Sequence, residues 1–115
     1  YPNRLDDLVQ PNIVNTPLAA GSSGSTFRAA VERDWLPALE AHQPDIVFVS
    51  AGFDAHVDDP LADLRLVEED YRWVTQFIVA VANQYAQGRV VSTLEGGYDL
   101  DALARSVTAH IEALA

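Results

Sequence analysis

Asp45-Ile46-Val47-Phe48-Val49-Ser50-Ala51-Gly52-Phe53-Asp54-Ala55-His56 and Arg89-Val90-Val91-Ser92-Thr93-Leu94-Glu95-Gly96-Gly97-Tyr98 share one pattern. In each, a run of β-branched and apolar residues leads into a glycine-containing loop that opens toward a helical pattern. The runs predict strands over 45–50 and 89–94, and the first, with little alternation, suits a strand covered on both faces. Between them, Tyr71, Val74, Phe77, Ile78, Val81 and Tyr85 give one apolar face to a helix over about 68–87, with Gly88 as its stop. A helix of that length is a crossover, so the strands run parallel and their C-terminal ends share a rim. Asp54 and Tyr98 lie just past those ends, where open α/β sheets keep their ligands.

Upstream, Asn12 to Thr16 reads as a short strand stopped by Pro17, and Gly21 to Gly24 as a loop. Ser25 is the expected N-cap of a helix to about His42, with Phe27, Val31, Trp35 and Leu39 as its buried stripe. Pro37 inside that pattern predicts a kink or break near Trp35. Asp99 is the expected cap of a last helix with the stripe Leu100, Leu103, Val107, Ile111 and Leu114. The order is therefore β-α-β-α-β-α, an α/β fold with parallel strands. Residues 1–11, bracketed by Pro2 and Pro11, read as an arm or linker, and 12–115 as the folded segment. Three strands leave apolar edges able to pair with a second copy or another segment, which makes a homo-oligomer or an assembly module the alternative to an enzyme. The short sheet, the start at Tyr1 and the absence of methionine together suggest a piece of a longer chain.

The 115 residues are 49% hydrophobic and 21% charged, which suits one globular domain. No apolar run reaches the roughly 20 residues of a transmembrane helix, and no signal-like opening is present. With no cysteine, disulfides and thiolate metal sites are excluded, and a reducing, cytoplasmic setting is expected. Seven basic against 17 acidic residues give a net charge of −10. No basic cluster exists to follow a phosphate backbone, so nucleic acid and anionic membranes are not expected partners. An acidic surface steers cationic substrates such as basic tails or polyamines.

Asp54 follows Gly52 and is a candidate metal ligand; the alternative is a carboxylate capping a turn or helix. A catalytic zinc needs three protein ligands and one open position. His56 is a tempting second ligand, although a loop-packing histidine is the commoner outcome, and His42 and His110 read as structural. Asp58, Asp59 and Asp63 lack EF-hand spacing and read as solvated turn residues. Gly96 and Gly97 precede a helix N-terminus that can meet an anion, but Gly-x-Gly-x-x-Gly is absent and a nucleotide site is not favoured. The Tyr98 hydroxyl is placed to donate a hydrogen bond to a developing oxyanion.

Ser50-Ala51-Gly52-Phe53-Asp54-Ala55-His56 followed by Asp59-Pro60-Leu61, then Leu94-Glu95-Gly96-Gly97-Tyr98-Asp99-Leu100, resembles the C-terminal part of the histone deacetylase superfamily. The likeness is to the bacterial class II type, which includes acetylpolyamine amidohydrolases. Asn12 to Leu18 and Asp70-Tyr71 are further landmarks. The resemblance implies part of a three-layer α/β/α arginase/deacetylase-like fold and zinc-dependent hydrolysis of an acetamide on acetyl-lysine or an acetylpolyamine. Residue by residue it implies that Asp54 is a zinc ligand, that Tyr98 polarises the scissile carbonyl, and that Leu61 lines the acyl tunnel. Gly96 and Gly97 would let the tyrosine loop lie close to the substrate. The family's other two zinc ligands come from an upstream Asp-x-His and its base from a His-His pair, and this sequence contains neither. Asp54-Ala55-His56 does not replace that motif, because its position matches the other aspartate. The segment alone is thus expected to bind zinc weakly or not at all and to be inactive. Val67 stands where many relatives have a helix-capping threonine, so a frayed helix start is expected there.

Overall fold

The computed structural model describes residues 11–115. The arm expected over 1–11 lies outside the described residues except for Pro11, which stands in an exposed turn. Five elements follow: α1 (Gly24–His42), β1 (Val47–Ala51), α2 (Glu68–Tyr85), β2 (Val90–Leu94) and α3 (Leu100–Leu114). β1 and β2 pair in parallel, in register from Val47 opposite Val90 to Ala51 opposite Leu94, with α2 as the crossover.

The strand expected over Asn12–Thr16 is not formed. Its residues have no regular structure, and Ile13 and Val14 are exposed. A strand needs a neighbour to satisfy its backbone. Here the side chain of Thr16 is committed to α1, donating to Asp34 Oδ2 (3.1 Å) and accepting from Trp35 Nε1 (3.1 Å). Among the described residues the sheet has two strands, and the order is α-β-α-β-α.

The N-cap of α1 lies two residues earlier than predicted, at Ser23 rather than Ser25, and accepts from the Thr26 amide. The buried Asp70 carboxylate lies where a Cβ on Gly24 would project, so the helix can start there only because residue 24 has none. Arg28 donates to the same carboxylate (Nε to Oδ1, 2.9 Å) and ties α1 to α2. Of the kink or break expected near Trp35, the break does not occur; α1 is continuous through Pro37. Pro37 and Arg33, whose carbonyl loses its donor, are both exposed, so that carbonyl is open to solvent rather than buried unpaired.

α2 starts at Glu68 although Val67 offers no capping side chain. Asp70 closes the turn from the other side, accepting the Val67 amide at Oδ2 (3.0 Å). In α3 Asp99 is the N-cap, as its sequence predicts, accepting from the Ala102 amide (2.8 Å). The apolar stripe predicted for α3 is rotated, because Leu100 and Ile111 are exposed while Ala102, Ser106, Ala109 and His110 are buried. Small residues face inward because α3 lies close against α2, the most extensive helix contact of the fold.

The core joins Ala51, Phe53, Leu66 and Tyr71, flanked by Phe27, Val49, Ala55, Leu103 and Val107. It sits between one sheet face and α2–α3. The other sheet face is open, with Phe48 72% exposed, so the described residues supply the sheet and one helical side of the three-layer plan. No helix among them is long and apolar enough to cross a membrane.

His110 is buried beneath the sheet. Thr75 donates its hydroxyl proton to the Tyr71 carbonyl (2.7 Å), so its oxygen accepts from His110 Nδ1 (2.7 Å). Nε2 is then left to accept from the Ser92 hydroxyl (2.8 Å). Burial lowers the His110 pKa below its ordinary 6.5. With the folded value depressed, the unfolded chain takes up the proton first on acidification. The stability contributed by neutral His110 is complete above pH 6.5 and is lost as the pH falls through the lowered folded value. Urea midpoints should therefore decline over that interval in the wild type, and His110→Gln should lack that part of the decline.

Candidate functional site

Beyond the strand ends the two chains stay hydrogen-bonded. The Glu95 amide donates to the Ala51 carbonyl (3.0 Å), and the Phe53 amide donates to the Gly96 carbonyl (2.8 Å). This continuation carries the loop with Asp54 and the loop with Tyr98 along together. Phe53 anchors the first loop; it is 3% exposed and packs on Tyr71 (ring centroids 5.1 Å) and on His110 (5.7 Å). Burying such a ring stabilises by roughly 2 to 3 kcal/mol.

Two glycines let the loops approach. A Cβ on buried Gly96 would stand 3.1 Å from Asp54 Cγ and Oδ2, so a side chain at this position would press on the Asp54 carboxylate. Gly97 has φ +135°, and a Cβ there would meet Leu103 Cδ1 at 2.7 Å. Both candidate substrate-loop glycines thus have a local steric reason. Leu61 is 65% exposed and Tyr98 56%, so both side chains are free to meet a ligand. Asp54 is half-buried.

Asp59 differs from the solvated turn residue expected. It is buried, and its carboxylate accepts amides from Leu61 at Oδ1 (3.0 Å) and from Tyr98 and Asp99 at Oδ2 (2.8 and 3.3 Å). The bond to Leu61 is an Asx turn, which Asp-Pro in a loop signals locally. The bonds to Tyr98 and Asp99 span 39 and 40 residues, and no local pattern carries them. Tyr71, a core residue in the periodicity, also reaches the rim. Its buried hydroxyl has no hydrogen-bond partner among the described residues. Burial first, then the charges of Asp54 and Asp59, raise its pKa well above a normal phenol, so it stays neutral.

His56 packs the loop rather than facing a ligand. It is 2% exposed; Nδ1 accepts the Asp58 amide (3.1 Å), and Nε2 faces Glu68 Oε1 at 3.3 Å. Arg105 of α3 holds both acidic neighbours, hydrogen-bonding Glu68 and pairing with Asp58 at 3.1 Å. Its hydrogen bond is the main reason the Glu68 carboxyl lies below its usual range.

Asp54 offers oxygen donors that zinc accepts. Among the described residues no group of three His, Cys, Asp or Glu comes together to hold a metal. Among the described residues, then, Asp54 fits one ligand position of such a centre.

If Gly97 holds this loop as described, Gly97→Ala should lower stability by about 1 to 3 kcal/mol, read as a lower thermal midpoint. The exposed Leu61→Ala should leave that midpoint nearly unchanged.

The family profile of the histone deacetylase domain matches residues 1–114. The chain is 42% identical over 106 residues to the type-2 histone deacetylase 2 of Dictyostelium discoideum, covering 90% of this chain and 6% of that protein. It is 39% identical over 85 residues to the histone deacetylase-like amidohydrolase of Pseudomonas aeruginosa, covering 74% of this chain and 22% of the relative. The solved structure of the histone deacetylase Clr3 superposes with a TM-score of 0.78 at 34% identity, over 87% of this chain and 16% of that one. The chain thus spans less than a quarter of the length of each.

Proposed function

This chain belongs to the histone deacetylase family, and on that premise we propose that it carries one half of a zinc-dependent amidohydrolase site. The proposed reaction is hydrolysis of an acetamide on an amine, acetyl-lysine or an acetylpolyamine, to acetate and the free amine. The observation that carries the proposal is the hydrogen-bonded junction of the Asp54 and Tyr98 loops beyond two parallel strands.

In this reading Asp54 is one of the zinc ligands, and the remaining ligands and the general base lie outside these 115 residues. The ion would supply Lewis acidity toward the acetamide carbonyl. Tyr98 donates its hydroxyl hydrogen bond to that carbonyl oxygen, where negative charge develops as water adds. Gly96 leaves room for the Asp54 carboxylate, and Leu61 borders the acyl group. The net charge of −10 favours amines that carry further positive charge, as polyamines and lysine-rich tails do.

The test is deacetylation of an acetyl-lysine peptide and of an acetylated polyamine by the whole protein that carries this segment. Tyr98→Phe should lower kcat by about 100- to 1,000-fold, the range for loss of one oxyanion donor, with folding intact. Chelation should abolish turnover and zinc should restore it. The 115 residues alone should not turn over either substrate. Undiminished activity of Tyr98→Phe would remove the proposed role of the tyrosine.

A further inference from the structure

We propose that Asp59 is the positioning residue of this site: its carboxylate clamps the main chain at Tyr98 to the main chain at Leu61 and thereby sets the backbone position from which the tyrosine side chain reaches the substrate. The inference rests on the role given above to Tyr98. Neither Leu61 nor Tyr98 belongs to a helix or strand, so neither amide has a ladder or helical partner. Both side chains are mostly exposed, and packing does not hold them. What holds their backbones is one carboxylate, 9% exposed, with Leu61 on Oδ1 and Tyr98 and Asp99 on Oδ2.

The arrangement demands a carboxylate. It needs acceptors at both oxygens, whereas asparagine has one acceptor and would turn an NH2 group toward the remaining amide. The Tyr98 and Asp99 amides also stand at the N-terminus of α3, where a negative charge is favoured. Burial acts to raise the Asp59 pKa, but the three amide donors outweigh it and the carboxyl lies below its usual range. The clamp is therefore charged at neutral pH. Asp59 touches no reacting atom in this reading and acts through Tyr98.

The experiment compares wild type, Asp59→Asn, Tyr98→Phe and the double variant in the whole protein, with amide hydrogen exchange beside the kinetics. Asp59→Asn should lower kcat by about 10- to 100-fold, the effect of a misplaced catalytic group, with KM changed less than about twofold. In the Tyr98→Phe background it should cost nothing further. The Tyr98 and Asp99 amides should be protected in the wild type and exchange faster in Asp59→Asn. Equal losses of kcat in both backgrounds would assign Asp59 a general folding role and overturn the proposal, as would wild-type kinetics in Asp59→Asn. An inactive wild type would count against the deacetylase reading itself. In that case, or if Asp59→Asn does not fold, wild-type exchange decides: protection at Tyr98 and Asp99 supports the clamp, and unprotected amides overturn it.

Discussion

Val47 to Ala51 pair in parallel with Val90 to Leu94, and this pairing governs where every candidate functional side chain stands. Parallel strands with a helical crossover must both end at the same rim. Here the pairing runs on past the strands, through the Glu95–Ala51 and Phe53–Gly96 hydrogen bonds, so the two loops leave the sheet already joined. Forty-four residues of chain separate Asp54 from Tyr98, yet the loops bearing them are fixed by the same ladder. Phe53 is the weight on that ladder, since its burial against Tyr71 and His110 keeps the first loop seated on the helices.

On this frame the site is made from small allowances rather than from strong interactions. Gly96 gives up a side chain so that the Asp54 carboxylate can lie beside it, and Gly97 turns the chain through a conformation that other residues rarely adopt. Asp59 then supplies the amide acceptors that the irregular segment lacks. A second buried acidic residue, Asp70, plays a similar part at the start of α2, accepting from Val67 and Arg28 against Gly24. Buried carboxylates in this acidic chain serve as connectors between segments that have no ladder of their own. Exposed Asp58 and half-buried Glu68 instead share the exposed Arg105, an arrangement worth little to stability in water.

Much of this was legible in the sequence because it is local. The period of α2, the Asp99 cap and the two strand-to-loop blocks are short-range signals, and all three formed. β1 nevertheless spans Val47–Ala51 rather than 45–50 and, against the expectation of cover on both faces, leaves Phe48 exposed. The resemblance to deacetylases rested on the same blocks and agrees with the family of the chain. What was not legible depends on distant partners. Asn12 to Thr16 has strand composition, but Thr16 finds Trp35 and Asp34 instead of a sheet edge. Ser23 caps α1 because Asp70, far along the chain, occupies the space beside Gly24. The buried face of α3 follows its close approach to α2, which favours Ala102, Ser106 and Ala109 over the larger Leu100 and Ile111. Asp59 reads as one of three turn aspartates until the fold brings the Tyr98 amide to it.

In the proposed function Asp54 and Tyr98 face one metal-centred reaction site. Its most direct test is anomalous X-ray diffraction at the zinc edge from crystals of the whole protein. A single strong peak is expected roughly 2.0 to 2.2 Å from an Asp54 carboxylate oxygen, with the Tyr98 ring on the same side of the rim. A zinc peak held by other residues, with the Asp54 carboxylate turned away from it, would show that Asp54 is not a ligand of this site.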